Sequence, residues 1–135
     1  MPIRHSIWRV DQKPEALREG QLDSEALLEE MIVAAPEILS PEWMVIGRQE
    51  DTSHGGRIDL LALAPDGALI LIELKRGRTP REVVAQALDY ATWAESLEAD
   101  DLSRIFARFS NGRDLGQTFL DRFGQALDED TVNQN

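Results

Sequence analysis

Asp59, Glu73 and Lys75 have the residue types and the spacing that hydrolytic chemistry on a phosphate ester requires. They lie in the segment GRIDLLALAPDGALILIELKRG, two apolar runs joined by Pro65-Asp66-Gly67. This junction predicts a three-residue hairpin loop, because proline presets the first turn angle and glycine takes the left-handed position. Counting outward, Ala64 faces Ala68, Leu63 faces Leu69, Leu61 faces Leu71, and Asp59 faces Glu73. Alternation then puts both carboxylates on one sheet face, with Lys75 beside Glu73 two residues on. Facing carboxylates repel, and the pair is costly unless something positive lies between them. A hard cation, Mg²⁺ or Mn²⁺, bridging the two would account for the arrangement. Lys75 then has two uses: to orient or help deprotonate a water, and to stabilise charge developing on the phosphate. A Glu-x-Lys on a strand is by itself usually a solvated pair. The facing aspartate among apolar neighbours is what sets this one apart.

The elements that must hold these residues follow from periodicity and capping signals. A helix is expected over 25–35, capped by Asp23 or Ser24, with Leu27, Leu28, Met31 and Ile32 as its apolar face. Pro36 limits it, and a short helical turn is expected to start at Ser40-Pro41. Three strands follow, over 44–48, 57–64 and 68–75. The next helix has Thr79 as cap, Pro80 at its first position and Glu82 at its third, a capping box. Its expected buried stripe is Val83, Val84, Ala87, Leu88, Ala91 and Ala94, running to about Leu97. Gln86 and Tyr90, four apart, share a face adjoining that stripe. Their hydrogen-bonding tips suit a phosphate or Lys75; the plainer reading is a helix flank at the edge of the core. Two further helices are expected over 101–109 and 115–123, the second stopped by Gly124, before a polar, frayed tail. Trp43 and Trp93 read as packing residues. The phenylalanines at 106, 109, 119 and 123 read as core, patching either the sheet or a dimer interface. His54, Gly55 and Gly56 suggest a mobile loop at the mouth of the site.

The fold class is therefore α/β, a sandwich with a small mixed or antiparallel sheet whose central hairpin is flanked by helices. The chain divides into an arm over 1–22, a core over 23–98, and a C-terminal helical segment with the polar tail over 99–135. Its 135 residues fit one domain, and 42% hydrophobic residues can fill a core. Without cysteine there is neither a disulfide framework nor a thiolate metal site. The absence of an apolar leader and of long apolar runs favours a soluble, cytoplasmic protein with no membrane partner. A net charge of −11 argues against tight binding of nucleic acid. However, Lys75, Arg76, Arg78 and Arg81 concentrate positive charge just after the hairpin, with Arg48 and Arg57 close by in sequence.

The hairpin string, followed by VVAQALDYA, resembles the PD-(D/E)xK nuclease superfamily, and more narrowly the nuclease domain of NucS-type endonucleases with its RecB-like Gln-x-x-x-Tyr element. The likeness covers about 24–93. It implies a restriction-endonuclease-like fold and Mg²⁺- or Mn²⁺-dependent cleavage of DNA, structure-specific on branched, mismatched or single-stranded substrates. Asp59 and Glu73 would be metal ligands, Lys75 the catalytic lysine, and Gln86 with Tyr90 the accessory pair. The family also uses a glutamate on the first helix. Glu25 occupies the matching position; Glu29, one turn on, shares its side and competes, while Glu30 points elsewhere. Two features depart from the family. Residues 1–22 are too short for the N-terminal DNA-binding and dimerising domain, so a missing domain or a partner protein is implied and the chain reads as a fragment. A final strand is also not evident after Leu97. The competing expectation is an inactive nuclease-fold module for nucleic-acid binding or homodimerisation.

Overall fold

The computed structural model describes residues 8–9, 15–16, 24–53, 55–74 and 81–134. In chain order these form β1 (Trp8–Arg9), β2 (Glu15–Ala16), α1 (Glu25–Ala34), a 3₁₀ turn (Pro36–Ile38), β3 (Met44–Asp51), β4 (Arg57–Leu63), β5 (Leu69–Ile72), α2 (Arg81–Glu95), α3 (Ala99–Phe109) and α4 (Leu115–Phe123). The fold is mixed α/β. Among the described residues every strand pairing is antiparallel, which decides between the mixed and antiparallel sheets expected from sequence. β1 and β2 pair within the expected arm, most of which lies outside the described residues. No helix of the described residues is long and apolar enough to cross a membrane.

The main sheet has the order β3-β4-β5. Its hairpin forms with the expected register, Leu63 opposite Leu69 and Leu61 opposite Leu71. The loop closes as its residues require: Gly67 N–H donates to the Ala64 carbonyl, Gly67 has φ +85°, and Asp66 Oδ1 accepts from Ala68 N–H. β4 is central and covered on both faces, which is why Leu60, Leu61, Ala62 and Leu63 are all fully buried. β3 runs longer than expected and carries an irregularity between Val45 and Gly47 that bends it.

Two apolar clusters use the two faces. The larger joins Met44, Ile46, Ile58, Leu61 and Leu63 to Tyr90, Trp93, Ala94, Leu102, Ile105, Phe106, Leu115 and Phe119. The phenylalanine helices thus patch the sheet, with Phe119 and Phe123 edge-on at 4.7 Å. Gly47 permits the close approach of α3, since a Cβ there would sit 2.7 Å from Ile105. The smaller cluster packs Ile32 of α1 against Val45, Leu60, Ala62, Ile72 and Leu74, with Trp43 alongside.

α1 and α2 bury part of their expected apolar faces and turn part outward. In α1, capped by Ser24 Oγ, Ile32 is buried and Leu28 half-buried as expected, whereas Leu27 and Met31 are exposed and Glu29 is buried in their place. Among the described side chains of α2 the buried ones are Tyr90, Trp93 and, as expected, Ala94, whereas Ala87 is exposed and Leu88 is 66% exposed; the side chains of Val83 and Val84 lie outside the described residues. The expected capping box at Thr79–Glu82 begins outside the described residues. The short helical turn forms at Pro36 rather than Ser40, with proline at its start. α4 ends at Gly124 as expected, with φ +72°.

The polar tail is docked rather than frayed. Val132 is buried against the hairpin loop, next to Gly67. Asn133 donates its backbone N–H to the Gly67 carbonyl, and its Nδ2 donates to the Ala94 and Leu97 carbonyls at the end of α2. A tail of mostly polar residues holds because those bonds satisfy helix-terminal carbonyls that otherwise need water.

Candidate active site

The hairpin ladder ends at the Leu60–Ile72 pair, so Asp59 and Glu73 are the next residues outward on facing strands. Both are half-buried, and Glu73 Oε1 is enclosed. Where the ladder stops, the Asp59 side chain replaces it: Oδ2 accepts from Leu74 N–H at 2.8 Å. Its other oxygen, Oδ1, accepts from Gln49 Nε2 at 3.1 Å. Each Asp59 oxygen is therefore held by one donor and retains acceptor capacity.

Gln49 lies between the rungs Arg48–Leu60 and Glu50–Ile58, across from Asp59. The same Nε2 donates to Glu29 Oε2 at 2.6 Å, and Arg48 Nε donates to Glu29 Oε1 at 2.5 Å. Glu29 is thus a buried carboxylate compensated by one cation and one amide, as burial of a charge requires. Glu25, the helix glutamate favoured from the sequence, is exposed in the first turn of α1. α1 instead turns the competitor, Glu29, toward Asp59.

Tyr90 is 2% exposed and its hydroxyl donates to the Arg57 carbonyl at 3.0 Å. Its ring packs against Gly56, where a Cβ would lie 2.7 Å from the ring. Gly56 therefore serves close packing at the entry to β4, which α2 pins through Tyr90. Burial pushes the Tyr90 hydroxyl above the ordinary tyrosine range; the negative charges of Glu73 and Asp59 push it further, against the bond to Arg57. Both carboxylates therefore act on one phenol. Gln86 is half-buried one turn earlier on α2. Lys75 and His54 lie outside the described residues.

Next to Gln49 on β3, Glu50 accepts from Arg108 of α3 at 2.8 Å. Burial raises the Glu50 carboxyl above its usual range, and Arg108 pulls it back. Arg48, Gln49 and Glu50 are thus bound in turn to α1, to the Asp59 site and to α3. Sequence reasoning missed Gln49: its place opposite Asp59 depends on the bend in β3, which residue types do not announce.

Among the described residues, no group of three or more histidine, aspartate or glutamate side chains is arranged to hold a metal ion. The carboxylates at the end of the hairpin are two, with the third tied in through an amide. No family model matches the chain, and no curated protein or solved structure matches it.

Proposed function

We propose that the chain is a metal-dependent endonuclease that hydrolyses DNA phosphodiester bonds, with a restriction-endonuclease-like sandwich of the PD-(D/E)xK type. The observation that carries this reading is the position of Asp59 and Glu73 just beyond the last rung of the β4–β5 hairpin, with Asp59 accepting from the N–H of Leu74. Two carboxylates are an adequate protein donor set for Mg²⁺, which keeps several waters and takes the rest of its ligands from phosphate oxygens. Asp59 and Glu73 would hold the cation. When bound, it supplies Lewis acidity toward the phosphate and lowers the pKa of an attacking water.

The protein's own side chains do the rest. Asp59 is oriented by Leu74 N–H and Gln49, so its carboxylate need not reorganise when substrate arrives. Lys75, two residues beyond Glu73, orients the water or stabilises charge on the phosphate. Tyr90 fixes the start of β4, and Gln86, one turn earlier on α2, would bind a phosphate oxygen or Lys75. The helix carboxylate we assign is Glu29 rather than Glu25, because Glu29 is the one linked to Asp59.

Purified protein with Mg²⁺ or Mn²⁺ is expected to cleave branched, mismatched or single-stranded DNA. Asp59→Ala, Glu73→Ala and Lys75→Ala should each abolish cleavage while leaving the folded circular dichroism signal. Undiminished cleavage by all three variants would sink the proposal. The net charge of −11 favours a second reading, a nuclease-fold module without activity of its own. Absence of both cleavage and Mn²⁺ uptake by calorimetry would select that reading.

A further inference from the structure

We propose that Gln49 is the positioning residue of this site, holding Asp59 and Glu29 in fixed relation through one neutral amide. The inference rests on the metal-site reading above. A single nitrogen, Nε2, serves carboxylates from two different elements, β4 and α1. The chemistry of that donor matters. A lysine or arginine here would neutralise the carboxylates and weaken their attraction for a cation. A glutamate would add a third negative charge with no donor between them. The amide supplies two N–H bonds and no charge, so Asp59 keeps its negative charge and its geometry, while Arg48 alone compensates Glu29.

The backbone at this position points the same way. Gln49 sits within β3 at φ +51°, in the left-handed region that side chains other than asparagine and aspartate seldom occupy. The other described non-glycine residues in that region, Asn111 and Asn133, are of the tolerant type. Strain of this kind persists where its surroundings over-determine it, and it concentrates at functional sites. Here the surroundings are explicit. Arg48 is fixed to Glu29 on α1, Glu50 is fixed to Arg108 on α3, and the intervening residue turns its amide to Asp59.

Calorimetric titration of the full chain with Mn²⁺, alongside thermal melts, tests the assignment. Gln49→Met keeps the length of the side chain and loses the amide, and should weaken Mn²⁺ affinity about 10- to 100-fold, the usual penalty for a lost supporting residue. Gln49→Gly should weaken it similarly while melting at a higher temperature than Gln49→Met, because glycine adopts the positive φ freely. A merely structural role predicts the opposite for affinity, which would then be unchanged in any variant that folds. Loss of Mn²⁺ binding in Asp59→Asn together with wild-type affinity in Gln49→Met and Gln49→Gly overturns this proposal alone. No Mn²⁺ binding by the unaltered chain overturns the metal-site reading, and this proposal with it.

Discussion

The two faces of the main sheet are built to different specifications. Against α2, α3 and α4 the sheet buries a broad cluster of leucine, isoleucine and aromatic side chains, among them Phe119 at 1% exposure. Against α1 the buried cluster has only six residues, Ile32 of the helix among them, and Glu29, Arg48 and Gln49 form a polar network between α1 and β3. One face supplies most of the apolar burial that opposes chain entropy. The other has less to lose and can carry buried charge. Separating the two demands lets the buried Glu29 carboxylate persist in a small domain, since the stability comes from elsewhere.

Breaking the larger face should have the largest effect. Phe119→Ala is expected to cost about 3–5 kcal/mol in denaturant unfolding, the range for deleting a fully buried aromatic ring. A loss under 1 kcal/mol would mean that this cluster is not the chief source of stability. On the smaller face, Glu29→Ala removes a buried carboxylate but leaves Arg48 able to reach water, so the cost should be only about 1–3 kcal/mol. An equal or larger loss than for Phe119→Ala would reverse the comparison.

The smallest effect sharpens the comparison at the boundary between the two faces. Tyr90 is the single tyrosine, so tyrosinate absorbance reports on it alone. Its folded pKa is raised, so the stability linked to its proton is fully present below the ordinary tyrosine range and lost as pH rises through the raised value. The titration should therefore lie above that of free tyrosine, and Glu73→Gln should move it back part of the way. An unmoved midpoint in Glu73→Gln would show that the phenol and the carboxylate do not act on each other.

How legible all this was in the sequence depends on whether the deciding contact is local. The hairpin register was readable because Pro65, Asp66 and Gly67 dictate the loop, and alternation carries it outward to Leu61 and Leu71. The end of α4 was readable for the same reason, at Gly124. The inward face of α1 was not. Leu27, Leu28, Met31 and Ile32 span a wide arc, and the partners that choose Glu29 over Leu27 as the inward residue are Arg48 and Gln49, far along the chain. In α2 the choice of Tyr90 over Leu88 likewise depends on a glycine, Gly56, whose missing side chain makes room for the ring. The tail failed because an asparagine that satisfies helix carbonyls looks, in sequence, like any solvated asparagine.

That asparagine has a consequence for how the protein is made. Val132 and Asn133 tie the hairpin loop to the end of α2, and so tie the strand bearing Asp59 to the helix bearing Tyr90. Domains emerging from the ribosome fold as their contacts become available. The hairpin and α2 are synthesised well before positions 132 and 133, and this clasp cannot close until both have left the exit tunnel. During that interval Tyr90 already pins α2 to the start of β4, and closing the clasp adds a second tie at the loop end of the hairpin.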